Sequence, residues 1–192
     1  MVDFCGYDPA NYDINGLSYQ DMFTERLIGK GTSHGLARRI IIPLSESNKS
    51  ESVYCNLKVL NIKHSLEFPI INYSKYNTLP YKYAYACNFL YKKPFSIVKI
   101  NVDDPEESWE HEYELPTEPA FVESPNAKKE DDGILLVMVQ SKKGDYLSIL
   151  NAKDMTEIAR ATLPEDMPAE SRGGFGFHGF FADTENFKGD FN

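Results

Sequence analysis

Apolar residues in this chain recur in short alternating runs, each closed by Gly, Pro, Asn or Asp, and that recurrence limits the fold more than any other feature. Runs at 2–5, 38–44, 52–60, 66–73, 81–89, 96–102, 109–115, 120–122, 133–140, 146–151, 157–163 and 176–181 read as strands. In 52–60, Val53, Cys55, Leu57 and Val59 fall on one face, as a strand with one side against a core requires. Only 16–28 (GLSYQDMFTERLI) suits a helix, with Ser18 placed to cap it. Residues 151–155 lie between two strand runs and read as a hairpin turn. The fold class is therefore all-β with at most one short helix near the N-terminus. Strand–turn–strand units at this spacing build propeller blades or barrels, and no exact internal repeat separates the two.

A chain of 192 residues is long enough for one domain with a sizeable core. Its net charge of -9 argues against nucleic acid and against a broad attraction to anionic lipid, while leaving an apolar ligand open. Cys5, Cys55 and Cys87 are odd in number and form no CxxC pair, which suits a reduced cytoplasmic protein. No apolar run approaches the roughly 20 residues that span a bilayer. Segments 8–15, 45–52, 103–107 and 127–132 read as loops, with their acidic residues taken as solvated turn chemistry, and 183–192 reads as a polar tail.

Candidate chemistry centres on His178, in Gly173-Gly174-Phe175-Gly176-Phe177-His178-Gly179-Phe180-Phe181. Glycines permit close backbone approach and phenylalanines exclude water, so the imidazole is expected in a dry, crowded setting. That setting fits a neutral metal ligand and equally a core histidine satisfied by a carbonyl. Glu67, in LEFPIINY, and Glu118, in PTEPAFV, stand in apolar strand-like surroundings. Each is either a strand-start residue facing solvent or a buried carboxylate. A buried carboxylate needs a partner, such as the Nδ1–H of a metal-bound histidine. Gly29-Lys30-Gly31-Thr32 lacks P-loop spacing, no serine sits in a nucleophile elbow, and the histidines form no HxH or HExxH pair.

Several of these segments together resemble the carotenoid cleavage oxygenases. They are Leu66-Glu67-Phe68-Pro69-Ile70-Ile71-Asn72-Tyr73, Glu118-Pro119-Ala120-Phe121-Val122 and Glu130-Asp131-Asp132-Gly133. With them go Leu147 through Asp154 with Ala159-Arg160-Ala161, and Gly176-Phe177-His178-Gly179. The family includes the animal β-carotene dioxygenases and the retinal pigment epithelium isomerohydrolase. The resemblance implies a seven-bladed β-propeller with a non-haem Fe(II) held by four histidines and oriented by three outer glutamates. His178 matches the fourth ligand, Glu118 and Glu67 match two of the outer carboxylates, and Phe177 is implied to line the substrate tunnel. It further implies cleavage of a conjugated C=C bond of a carotenoid or apocarotenoid by O2 to aldehydes.

The other three ligand histidines of the family precede the strand at 2–5, and His34, His64 and His111 do not sit in its ligand motifs. These three are expected as exposed histidines without a metal role. Residues 1–182 are thus expected to be the C-terminal portion of such an oxygenase, its last three or four blades, inactive alone. Expected partners are a complementary or full-length chain, and a membrane surface touched through the N-terminal part. The alternative is a non-enzymatic propeller remnant that binds apocarotenoids or a full-length relative. By chain order Glu118 pairs with His178, which leaves Glu67 without a histidine to orient and with a raised pKa if it stays dry.

Overall fold

A computed structural model describes residues 1–7, 35–43, 54–89, 94–162 and 178–182. The expected helix at 16–28, the loops at 8–15 and 45–52, Phe177 and the tail at 183–192 lie outside them. The strands are β1 (Val2–Gly6), β2 (Leu36–Ile41), β3 (Asn56–Asn61), β4 (Leu66–Ile70), β5 (Tyr83–Asn88), β6 (Phe95–Asn101) and β7 (Ser108–Tyr113). They continue with β8 (Leu115–Pro116), β9 (Ala120–Glu123), β10 (Gly133–Gln140), β11 (Tyr146–Asn151) and β12 (Glu157–Thr162). One turn of helix, α1 (Tyr73–Tyr76), follows β4.

Three antiparallel meanders result, ordered β1-β2-β3, β4-β5-β6-β7 and β8/β9-β10-β11-β12. In each, the leading strand lies at one edge, with β8 and β9 sharing that edge of β10, and the other sequence neighbours pair, which is the layout of successive propeller blades. The middle sheet is buried on both faces, and strand alternation divides its side chains between two cores. Tyr85, Cys87 and Ile97 join Leu135, Val137, Val139 and Leu150 on the third sheet. Ala84, Ala86, Val98 and Ile100 join Ala37 and Leu60 on the first. The small alanines let the first two sheets approach. Gly35 completes that approach, because a Cβ there would stand 2.5 Å from the Leu66 carbonyl oxygen, and Leu66 N donates to the Gly35 carbonyl at 2.7 Å.

Polar clamps tie the second sheet to the third. Lys99, 1 % exposed at its side chain, donates from Nζ to Asp131 Oδ2 at 2.7 Å and to the Lys153 carbonyl at 2.8 Å. Its ammonium also stands over the rings of Tyr83 (4.0 Å) and Trp109 (4.7 Å). Burial pulls Lys99 below the usual lysine range, with the Asp131 carboxylate opposing that pull. Tyr85 OH donates to the Ala152 carbonyl at 3.1 Å.

Three expectations need correction. Asp131 is buried in an ion pair and is not a solvated turn residue, because Lys99 inside the sheet needs a counter-charge. Leu57 and Val59 do share a face, but that face is exposed, because nothing among the described residues covers edge strand β3. The strand expected over 66–73 stops at Ile70 and gives way to α1. Asn72 is buried there and donates from its side chain to Glu123 Oε1 at 3.0 Å and to the Glu130 carbonyl at 3.3 Å.

Candidate metal-ligand site

Both candidate carboxylates sit where a leading strand carries one extra residue. In β4 the register advances three residues, Glu67 to Ile70, while β5 moves only two, Cys87 to Tyr85. Between β8 and β9 it advances four, Pro116 to Ala120, while β10 moves three, Val139 to Leu136. Such bulges break alternation and re-aim a side chain. Pro119 adds to the second, since the residue before a proline is held extended. The two positions are linked through Cys87, which pairs with Glu67 in the ladder and donates its thiol to the Thr117 carbonyl at 3.2 Å.

His178 Nδ1 lies 2.9 Å from Glu118 Oε2. A carboxylate only accepts, so Nδ1 carries a proton, and in the neutral ring Nε2 is the acceptor nitrogen. Phe68, at the β4 bulge, stands perpendicular to the imidazole, with centroids 5.8 Å apart and an interplanar angle of 89°. The carboxylate is well covered, 15 % exposed at its side chain, but the imidazole is 75 % exposed. The dry, crowded setting expected for His178 is therefore absent. Residues 178–181 also form no strand, since no ladder partner meets them among the described residues. A cavity of about 230 Å³ beside the imidazole is walled by Leu136, Met138, Leu147 and Phe180. A larger one, about 640 Å³, lies between the first two sheets and is lined by none of Glu67, Glu118 and His178.

Glu67 is half-buried, and burial alone pushes its carboxyl up to about 7. Its charge joins burial in raising Cys5 to about 12. Cys87 is raised further, first by burial and then by the charges of Glu118 and Glu67, which places both carboxylates around one thiol.

His64 and His111 serve the fold. His64 is buried, with Nε2 3.2 Å from Ser108 Oγ, and His111 Nδ1 meets the Met155 carbonyl at 3.1 Å. Both were expected as solvent-facing; His64 is buried instead, and His111, in β7, is half-buried. His34 lies outside the described residues. Among the described residues no group of three His, Cys, Asp or Glu is close enough to hold a metal ion. His178 with its tethered Nδ1 fits one position of a multi-ligand site, and those residues do not supply the full set. Sequence reasoning missed Phe68, although it follows Glu67 directly, because nothing in the pattern marks a backbone bulge.

An all-β chain of meander blades, with a carboxylate-tethered histidine beside the leading strands, is built as part of a β-propeller. The profile of the retinal pigment epithelial membrane protein (RPE65) family matches residues 1–183, and the chain belongs to that family of carotenoid oxygenases. A Gallus gallus relative, Beta,beta-carotene 15,15'-dioxygenase, is 37% identical over 91% of this chain and 38% of its own length. The Mus musculus protein of the same name is 39% identical over 66% of this chain and 23% of its own. A mitochondrial carotenoid-cleaving dioxygenase from Mustela putorius furo is 32% identical over 72% and 27%. The chain thus spans less than two fifths of the length of these relatives.

Among solved structures, an ACO/RPE65 chimera superposes with a TM-score of 0.64 at 24% identity, covering 80% of this chain and 31% of that one. Cobalt-substituted Synechocystis ACO gives 0.62 at 20% identity over 84% and 33%. These likenesses establish the fold. No helix among the described residues is long and apolar enough to cross a membrane.

Proposed function

We propose that this chain is the C-terminal portion of a non-haem Fe(II) carotenoid oxygenase and contributes one iron ligand, His178. The observation that carries the reading is the 2.9 Å contact between His178 Nδ1 and Glu118 Oε2. That contact fixes the tautomer in which Nε2 presents its lone pair, the form a metal ligand needs. The names of the dioxygenase relatives support carotenoids as the substrate class, and the cobalt-substituted relative supports a metal centre. Bound iron would supply the redox chemistry by which O2 adds across one conjugated C=C bond, giving two aldehydes and leaving no other product. Glu118 orients the imidazole. Glu67, its carboxyl pushed up to about 7 by burial, is only partly charged near neutrality. Phe180 and Met138 offer apolar surface beside the imidazole.

The test is complementation. The purified chain is mixed with Fe(II), O2, β-carotene and a polypeptide covering the part of the Gallus gallus dioxygenase that it does not match. The reading predicts aldehyde only with both polypeptides present, and none when the chain carries His178→Ala. A second reading, a non-enzymatic propeller piece that binds apocarotenoids or a full-length relative, is favoured by the exposed apolar side chains Leu57 and Val59 on edge strand β3. Tight apocarotenoid binding unaffected by His178→Ala, with no aldehyde under any mixture, would establish it.

A further inference from the structure

We infer that Phe68 is a positioning residue for His178, held against the imidazole by a strained bulge in β4; this rests on the ligand reading above. Phe68 has φ of +53°, which bulky residues rarely adopt. The other non-glycine residues at positive φ among the described ones, Thr78 and Met155, lie in turns, whereas Phe68 lies within a strand. Strain of this kind persists where the surroundings over-determine it and clusters at functional sites. The surroundings here are aromatic. Phe68 meets Phe89 edge-on at 6.3 Å, and Phe89 meets Phe95 edge-on at 5.2 Å, so the ring is braced from behind.

On its other side is the perpendicular imidazole. The hydrogen bond to Glu118 fixes one ring nitrogen, but by itself it leaves the ring able to swing about that bond. A perpendicular phenyl contact removes the swing and sets where Nε2 points. The need is evident because His178 belongs to an exposed stretch that pairs with no strand among the described residues.

The test uses the full chain, with 13C,15N-labelled histidine, long-range proton–nitrogen spectra and ring carbon-13 relaxation at a pH of about 8, where an ordinary imidazole is neutral. Phe68→Gly removes the ring, and glycine takes the positive φ freely, so the bulge and the fold survive. Phe68→Tyr keeps the ring. The inference predicts a single Nδ1-protonated pattern for His178 in the wild type and in Phe68→Tyr. It predicts that Phe68→Gly keeps this tautomer, which Glu118 holds, but lowers the carbon-13 order parameters of the His178 ring C–H bonds, because the ring then swings. Ring order parameters in Phe68→Gly equal to those of the wild type overturn it. Added Co(II) separates the two claims. If Co(II) broadens His178 but Phe68→Gly keeps the wild-type order parameters, only the role of Phe68 fails. If Co(II) leaves wild-type His178 untouched, the ligand reading fails, and with it the purpose assigned to Phe68.

Discussion

Glu67 offers a sharp physical test, because its carboxyl is raised from 4.5 to about 7 by burial, with no compensating cation among the described residues. The folded chain therefore holds this proton more tightly than the unfolded chain does. Stability from this group is fully present below about 4.5, falls as pH rises through about 7, and is level above that. Taken in full, the displacement corresponds to ~3 kcal/mol. Glu67 is only half-buried, and solvent screening lowers the expected span to about 2 kcal/mol. Glu67→Gln keeps the shape and removes the titration. Urea unfolding of both proteins from pH 4 to 8 should give curves that agree at the acid end. They should separate by about 2 kcal/mol at pH 8, with the glutamine form the more stable. A carbon-13 titration of the Glu67 carboxyl should find its midpoint near 7. Parallel stability curves and a midpoint near 4.5 would refute the buried, uncompensated carboxylate.

Other perturbations follow from the same packing. Asp131→Ala strands the Lys99 ammonium inside the blade interface and should cost about 3–5 kcal/mol by urea denaturation. Replacing both partners, Lys99→Met with Asp131→Leu, should cost far less than that single change. Leu135→Ala, at a fully buried position of the larger core, should cost about 3 kcal/mol with no change in the His178 ring spectrum. An equal loss for an exposed Leu57→Ala would contradict the assignment of β3 as an open edge.

The meanders were legible because period-2 runs and turn residues are local signals. β10 and β11 fall at 133–140 and 146–151, where alternation is strongest. What each face meets was not legible. The same alternation that buries Val98 and Ile100 leaves Leu57 and Val59 exposed, since burial depends on the neighbouring sheet rather than on the strand. Asp131 read as a solvated turn residue, and only its meeting with Lys99 across two sheets makes it internal. At the site, the pairing of Glu118 with His178 followed from chain order within a family resemblance. The exposure of His178 and the bulge at Phe68 did not. A bulge is a register event between two strands, and no single run of residues encodes it.

The central claim is that His178, oriented by Glu118, is a metal ligand, and Co(II) titration followed at the ring nitrogens of His64, His111 and His178 tests it most directly. The account predicts that His178 Nε2 broadens first, ahead of the two structural histidines. It also predicts that Glu118→Gln weakens this effect by about 10–100-fold, as expected when the outer partner of a ligand is lost. Equal broadening at all three histidines, or a response at His178 that Glu118→Gln leaves unchanged, would contradict it.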